Sequence, residues 1–249
     1  TAYNTADDNP DNDGTGGLVW GPTASNFLSF LHAWGGDVLD ADGNYDFNTP
    51  EALAVAMFIN ALRDAGCTYT TESYANPEQA TRRALITTSS TSGLKYYGYA
   101  FDDEDNDDVW GFIAFPGPDG GRGVDAFTQP TGILKSTPEQ ELAAWIFMKW
   151  FTAPMNQAKW VEASGYLPTQ FTTEDLLAAY IDGNPVYATV LELASLGQGE
   201  PETYPAWASV RRAIDDAAAE MYAATSEEEL VAILANLTET AADLVEEIS

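Results

Sequence analysis

Trp207 stands two residues after Pro205, in the first turn of a helical pattern, where a side chain can face a cleft. A tryptophan face suits a C–H-rich ring such as a sugar, and a few placed polar groups beside it would select hydroxyls. Ser89, Ser90 and Thr91 offer such groups, as a hydroxyl run directly after a buried-strand pattern. Side-chain oxygens and free backbone amides at a strand end can hold a hydroxylated ligand. Trp20, beside Gly21-Pro22 at the end of a strand pattern, and Tyr166, in a Gly-Tyr-Leu-Pro turn, are further aromatic candidates. Plain alternatives stay open. Trp207 shares helical spacing with Val210, Ile214 and Met221 and can equally belong to the core. The hydroxyl run can be an ordinary strand-to-helix connection, and Trp20 a core tryptophan.

Other chemistries find less support. Asp40, Asp42, Asn44, Asp46 and Asn48 place oxygen ligands at alternate positions, with Glu51 twelfth, in the manner of a calcium loop. Gly43 stands fourth and not sixth, where the sharp turn needs it, and a helix starts at Pro50 before the last ligand. A surface hairpin is the better reading. The only histidine, His32, lies in the apolar run FLSFLHAWGG and reads as a partly buried residue rather than a ligand. Cys67 is the only cysteine, so no internal disulfide or thiolate metal site can form. No metal or cofactor is expected. No Gly-x-Ser-x-Gly elbow, Walker loop or His-Glu-x-x-His segment occurs. Among 39 carboxylates some pair must lie close, so paired acids carry no information by themselves. A glycosidase would need one pair inside an aromatic cleft.

The chain has 249 residues, a formal charge of −29, 45% hydrophobic and 12% aromatic content. That is a globular chain of one or two domains. With ten Lys plus Arg it has no basic footprint for nucleic acid or for an anionic membrane surface. Acidity of this size keeps an abundant exported protein soluble and separate, which suits a monomer; salt adaptation stays open. No run of about 18 apolar residues could span a membrane. The chain begins at Thr1 without a visible signal peptide.

The elements that must position these residues can be read in order. Residues 1–17 are polar and loop-like, and Leu18–Trp20 reads as the end of a strand. A helix is expected over Thr23–Trp34, a strand-turn-strand over Val38–Phe47, and a helix from Pro50 to Gly66. Asn76–Arg83 reads as a short helix, Ala84–Thr88 as a buried strand, Leu94–Tyr99 as helical and Trp110–Phe115 as a strand. Thr137 caps a helix that has Pro138 first, and Leu142, Trp145, Ile146 and Met148–Phe151 make it apolar around most of its girth. Such a helix is expected to be mostly buried. A second helix runs from Pro154 to Gly165. Further helices are expected at 173–181, 184–196, 205–223 and 226–248. The last has a Ser226/Glu229 capping pair and one apolar face, Leu230–Ile233–Leu237–Leu244. Few strands among many helices imply an α/β domain with ligands near strand ends.

The run from Phe127 to Thr169, FTQPTGILKSTPEQELAAWIFMKWFTAPMNQAKWVEASGYLPT, resembles the lobe-crossing segment of extracellular solute-binding proteins of the carbohydrate ABC-transporter class, the maltose-binding-protein-like family. FLSFLHAWGGDVLDADGNYDFNTPEALAVAMFINALRDAG, ANPEQATRRALITTSSTSG and YPAWASVRRAI are similar to further parts of that family, in the expected order. The resemblance implies an α/β, periplasmic-binding-protein-like (type II) two-lobe fold, here mainly the C-terminal lobe plus a crossing segment of the N-terminal lobe. Residues 1–112 and 166–249 would belong to the C-terminal lobe and 113–165 to the N-terminal lobe. It implies a sugar or oligosaccharide held in an interlobe cleft and delivered to the permease subunits of an ABC importer. Trp207 would be the stacking residue, and Thr131 and Gly132 would lie where backbone approaches ligand, although a turn alone also calls for Gly132. Most of the family's N-terminal lobe has no counterpart here. An upstream extension with an export signal and a lipid anchor is therefore expected, with the protein outside the cell. The rival readings are a carbohydrate-active enzyme and a non-catalytic surface interaction protein.

Overall fold

The computed structural model of the protein describes residues 16–127 and 131–248; the loop-like reading of 1–15 lies outside them. Strand β1 (Gly16–Val19) leads to α1 (Ala24–Ala33), whose N-cap Thr23 accepts a hydrogen bond from the Asn26 amide. Thr49 does the same for Ala52 at the start of α2 (Pro50–Asp64), with Pro50 in the first turn. Next come β2 (Thr68–Tyr69), α3 (Asn76–Ala80), β3 (Ala84–Thr87) and α4 (Leu94–Asp103). β4 (Phe115–Pro116) and β5 (Arg122–Ala126) follow, then α5 (Pro138–Phe151) and α6 (Pro154–Ser164). Gly165 closes α6 in the left-handed conformation, at φ 77°. A 3-10 stretch (Phe171–Leu177), α7 (Ala178–Gly183), α8 (Pro185–Ala194) and β6 (Gly197–Gly199) precede the two long final helices, α9 (Trp207–Ala223) and α10 (Glu227–Glu246).

The chain forms two compact units. The first takes residues up to Thr88, Ile113–Phe127 and Leu196 onward; the second takes Ser89–Phe112 and Thr128–Ser195. In the first unit β1 lies between β2 and β3, parallel to both, with Leu18 opposite Thr68 and Ile86. Parallel neighbours need crossovers, and the helices α1 to α3 supply them. A second small sheet runs β4-β5-β6, with β5 antiparallel to β4 and parallel to β6. β5 lies directly on α1: a Cβ on Gly123 would stand 2.3 Å from the Ser29 carbonyl oxygen, so only glycine permits the approach.

The core of this unit joins Phe27, Leu28 and Leu31 of α1 to Val55 of α2, Ile214 of α9 and Leu234 of α10. Each such side chain contributes about 1.5–3 kcal/mol on burial. On α10, Leu230, Leu234, Leu237 and Ala241 are buried, with Ile233, Leu244 and Val245 packed at the margin. The expected apolar face is therefore docked. Ser226 accepts from the Glu229 amide at 3.2 Å, while the Glu229 carboxylate reaches back to the Thr225 amide at 2.7 Å. The returning bond lands one residue before the N-cap.

Several expectations change. Val38–Phe47 is not a two-stranded piece: Leu39 and Tyr45 make a single bridge, because the Asp40 carboxylate takes the amides of Asp42 and Asn44 and closes the loop on itself. Trp110–Phe115 is strand only at Phe115, since Trp110 and Phe112 turn to an aromatic group with Tyr97 and Phe101. On β3 only Ala84 is buried; Leu85 and Ile86 are exposed on an edge strand. The largest change is α5, which has no buried residue. Leu142, Trp145, Ile146, Phe147 and Trp150 are each more than half exposed. Its unit has a small core around Ala158, Val161, Leu177 and Tyr187, and that core uses α6, the 3-10 stretch and α8 instead.

Candidate functional site

The carboxyl ends of β1 and β3 are tied together. The Thr88 hydroxyl accepts from the Gly21 amide at 3.1 Å and from Asn26 Nδ2 at 3.0 Å, and Asn26 Nδ2 also donates to the Gly21 carbonyl. Ligands of parallel sheets bind at this kind of edge. Trp20, at the end of β1, is turned inward against Phe30 and is buried.

Trp207 is likewise buried, at 5% exposure, in one cluster with Val210, Ile214 and Met221. The core alternative describes its placement in this chain. Tyr45 stacks on its ring at 6.0 Å, and the Tyr45 hydroxyl donates to the Pro205 carbonyl. Its indole Nε1 donates to Glu200 at 3.0 Å. The Glu200 side chain is 2% exposed and also takes Arg211 Nε on both oxygens, at 2.9 Å each. Arg211 further donates to Ser25 Oγ, lies over the Phe127 ring and approaches Asp215 at 3.8 Å. Asp215 accepts from the Ala24 amide at the start of α1. Asp125 on β5 completes the group: its amide donates to Ser29 Oγ, while neither of its buried carboxyl oxygens has a hydrogen-bond partner. Burial, then the Glu200 charge, pushes the Asp125 carboxyl up to about 8.

Sequence reasoning missed this network. Its members are 75 or more residues apart in part, and the only local signal is Arg211, a rare cation four residues before Asp215. A glycosidase acid must reach its substrate, whereas the Glu200 side chain is 2% exposed and is bound by Arg211 and Trp207. Burial lowers the His32 pKa, which keeps the ring neutral at pH 7.

The other expected residues belong to the second unit. Ser90 Oγ lies 2.7 Å from Ser92 Oγ, and the Gly93 amide donates to the Ser90 carbonyl, making a tight turn over Thr91–Gly93 into α4. Ser90 is exposed, and Ser89 and Thr91 are half-buried. Thr131 and Gly132 are exposed, and Gly132 has no neighbour within 4 Å of a built Cβ, so close packing does not require glycine there. Tyr166 is 44% exposed beside Trp160, and its carbonyl accepts from the Tyr187 hydroxyl. Buried Gln157 bonds the Phe151 carbonyl and Thr169, and Lys95 donates to the Glu162 and Ala163 carbonyls at the end of α6. The expected set is thus divided between the units: Trp20 and Trp207 in the first, the other six in the second. A shallow depression of about 400 Å³ near Ala223, Ala224 and Ile233 contains none of them. Among the described residues no group of three His, Cys, Asp or Glu is placed to hold a metal.

The family model for bacterial extracellular solute-binding proteins matches residues 3–181. The chain belongs to this family. The solute-binding protein also matches solved structures along nearly its whole length. UgpB from Mycobacterium tuberculosis, in complex with glycerophosphocholine, is 20% identical with a TM-score of 0.74, over 94% of this chain and 59% of that one. The sugar-binding protein MalE of Xanthomonas citri is 17% identical, TM-score 0.74, over 96% and 60%. MalE from Bdellovibrio bacteriovorus bound to maltotriose is 19% identical, TM-score 0.73, over 96% and 63%. The fold is therefore periplasmic-binding-protein-like, and the chain spans about three-fifths of the length of these structures. No curated protein matches it. The family is one of binding proteins and is non-catalytic.

Proposed function

We propose that this solute-binding protein is the receptor component of an ABC importer, taking a sugar or oligosaccharide between two lobes and handing it to permease subunits in the membrane. One observation carries the reading: a chain of a solute-binding family has, over nearly its whole length, the fold of proteins described as sugar-binding or bound to maltotriose. Lobe closure would follow from tighter binding of ligand to the closed state. The protein would act as a monomer outside the cell, held by an N-terminal lipid anchor beyond this chain.

The ligand contacts would come from the accessible residues Ser89, Ser90, Thr91, Thr131, Gly132 and Tyr166. Trp20 and Trp207, buried in this chain, would support the strand ends of the first unit rather than offer open stacking faces. The compact units group residues 113–127 with the first unit and 166–195 with the second, so they cut across the expected lobe boundaries at 112 and 165. We keep the lobe assignment for 128–165. The uncovered apolar girth of α5 supports it, since such a helix suits a lobe completed by the part of the relatives' length that this chain does not span. A second ligand class, a zwitterionic phosphodiester, is favoured only by the complex of UgpB with glycerophosphocholine. Binding assays on the full-length gene product, with neutral saccharides in one arm and glycerophosphocholine in the other, test the two readings. Binding in neither arm would reject both.

A further inference from the structure

The two strands β5 and β6 have a special place in the chain path. β5 ends at Ala126 and the first unit ends at Phe127; the first unit resumes at Leu196 and β6 begins at Gly197. The chain leaves the first unit twice, first between Thr88 and Ile113, and its second and longer excursion begins and ends at one pair of parallel strands, with Asp125 opposite Gln198. The Glu200 amide donates to the Ala126 carbonyl, which extends the pairing to the root of the crossing.

A single guanidinium serves three carboxyls at this root. Arg211 gives Nε to Glu200 and approaches Asp215, and another of its nitrogens is committed to Ser25. Asp215 has its own partner in the Ala24 amide, and Glu200 has Trp207 Nε1. Neither Asp125 oxygen has a well-formed hydrogen bond; the Ser25 hydroxyl, which accepts from Arg211, faces it and only partly favours its charged form. The groups facing the cluster are Arg211 and Asp215 from α9, Glu200 after β6, and His32 from α1, which feels the Glu200 charge. His32 brings no compensating charge at neutral pH, because burial lowers its pKa. Asp215 is 39% exposed, but with Asp125 and Glu200 both ionised two negative charges would sit out of water against the one guanidinium, which is costly. One bound proton removes one of them and turns an Asp125 oxygen into a donor toward Glu200.

We propose that Asp125 and Glu200 share one proton, and that this proton clasps the strand pair flanking the chain's second excursion from the first unit; its loss in alkaline solution sets Glu200 against Asp125, frees the Trp207 indole edge and loosens β5 from β6. The inference stands on the first unit alone and does not depend on the sugar reading. It makes Asp125 a positioning residue for Glu200 and, through it, for Trp207.

The sign follows from linkage. An acid whose folded pKa lies above its unfolded value binds its proton more tightly when folded. Its stabilising contribution is full below the unfolded pKa and is lost as pH rises towards about 8, the folded value. The wild-type Tm should therefore fall by several degrees between about pH 6 and about pH 9. Asp125→Asn offers an amide donor to Glu200 at every pH, so its Tm should hold nearly level over the same window. Hydrogen exchange, corrected for the intrinsic rate, should quicken at residues 122–126 and 197–200 in wild type on the alkaline side and not in Asp125→Asn. Infrared spectroscopy gives a reading on wild type alone: a protonated carboxyl band present near neutral pH and absent well above it. Parallel Tm curves for the two proteins, or no protonated carboxyl in wild type, would overturn the shared proton. A titrating band with unchanged exchange at β5 and β6 would overturn the clasp. If Asp125→Asn does not fold, the infrared and exchange readings on wild type decide the question.

Discussion

At Trp207 the indole satisfies its one donor on a carboxylate that is itself held by Arg211, so the ring, the acid and the guanidinium are locked as a unit. Truncation should therefore be felt as lost stability. Trp207→Ala removes a ring at 5% exposure and takes a donor from Glu200, and should lower unfolding free energy by about 3–5 kcal/mol in a denaturant titration. A variant as stable as wild type would show that the ring does not hold the core. Sequence could not separate these roles: the spacing to Val210, Ile214 and Met221 and the position after Pro205 are both real features of α9, and burial decides between them. The carboxyl group around Trp207 was out of reach as well, since Glu200 comes beside Asp125 only after β5 and β6 pair.

Helices were legible where their signals are local. Thr23, Thr49, Thr137 and Ser226 each accept from an amide three residues on, as their types and positions suggest. The face of α10 was equally clear, and Leu237→Asp, which sets a charge in a site 2% exposed, should cost several kcal/mol. An unchanged melting curve would mean that α10 is not docked. Strands β2, β5 and β6 left no trace, because Thr68–Tyr69, Arg122–Ala126 and Gly197–Gly199 carry no apolar alternation and exist only through distant partners. For α5 the apolar girth says that the helix suits burial, not that this chain supplies the cover. Ile146→Lys should consequently change the stability of the 249-residue protein by no more than about 0.5 kcal/mol, and reduce its binding of a hydrophobic dye. A loss of several kcal/mol would place Ile146 in a core.

On the scale of the molecule, the chain belongs to a family of bacterial extracellular solute-binding proteins, has a periplasmic-binding-protein-like α/β fold and carries a formal charge of −29. The fold class was readable from order: few short strands alternate with many helices along the chain. The lobe limits at 112 and 165 stay a proposal, because grouping into compact units depends on which helices find a core. The account stands or falls on ligand. The most direct measurement is tryptophan fluorescence of the full-length gene product titrated with maltose, maltotriose and related neutral saccharides, with product analysis of the same mixtures. A saturable shift with the saccharide recovered intact is the expected result, with much weaker binding by the 249-residue chain alone. No response to any saccharide, or saccharide turned over, would contradict it.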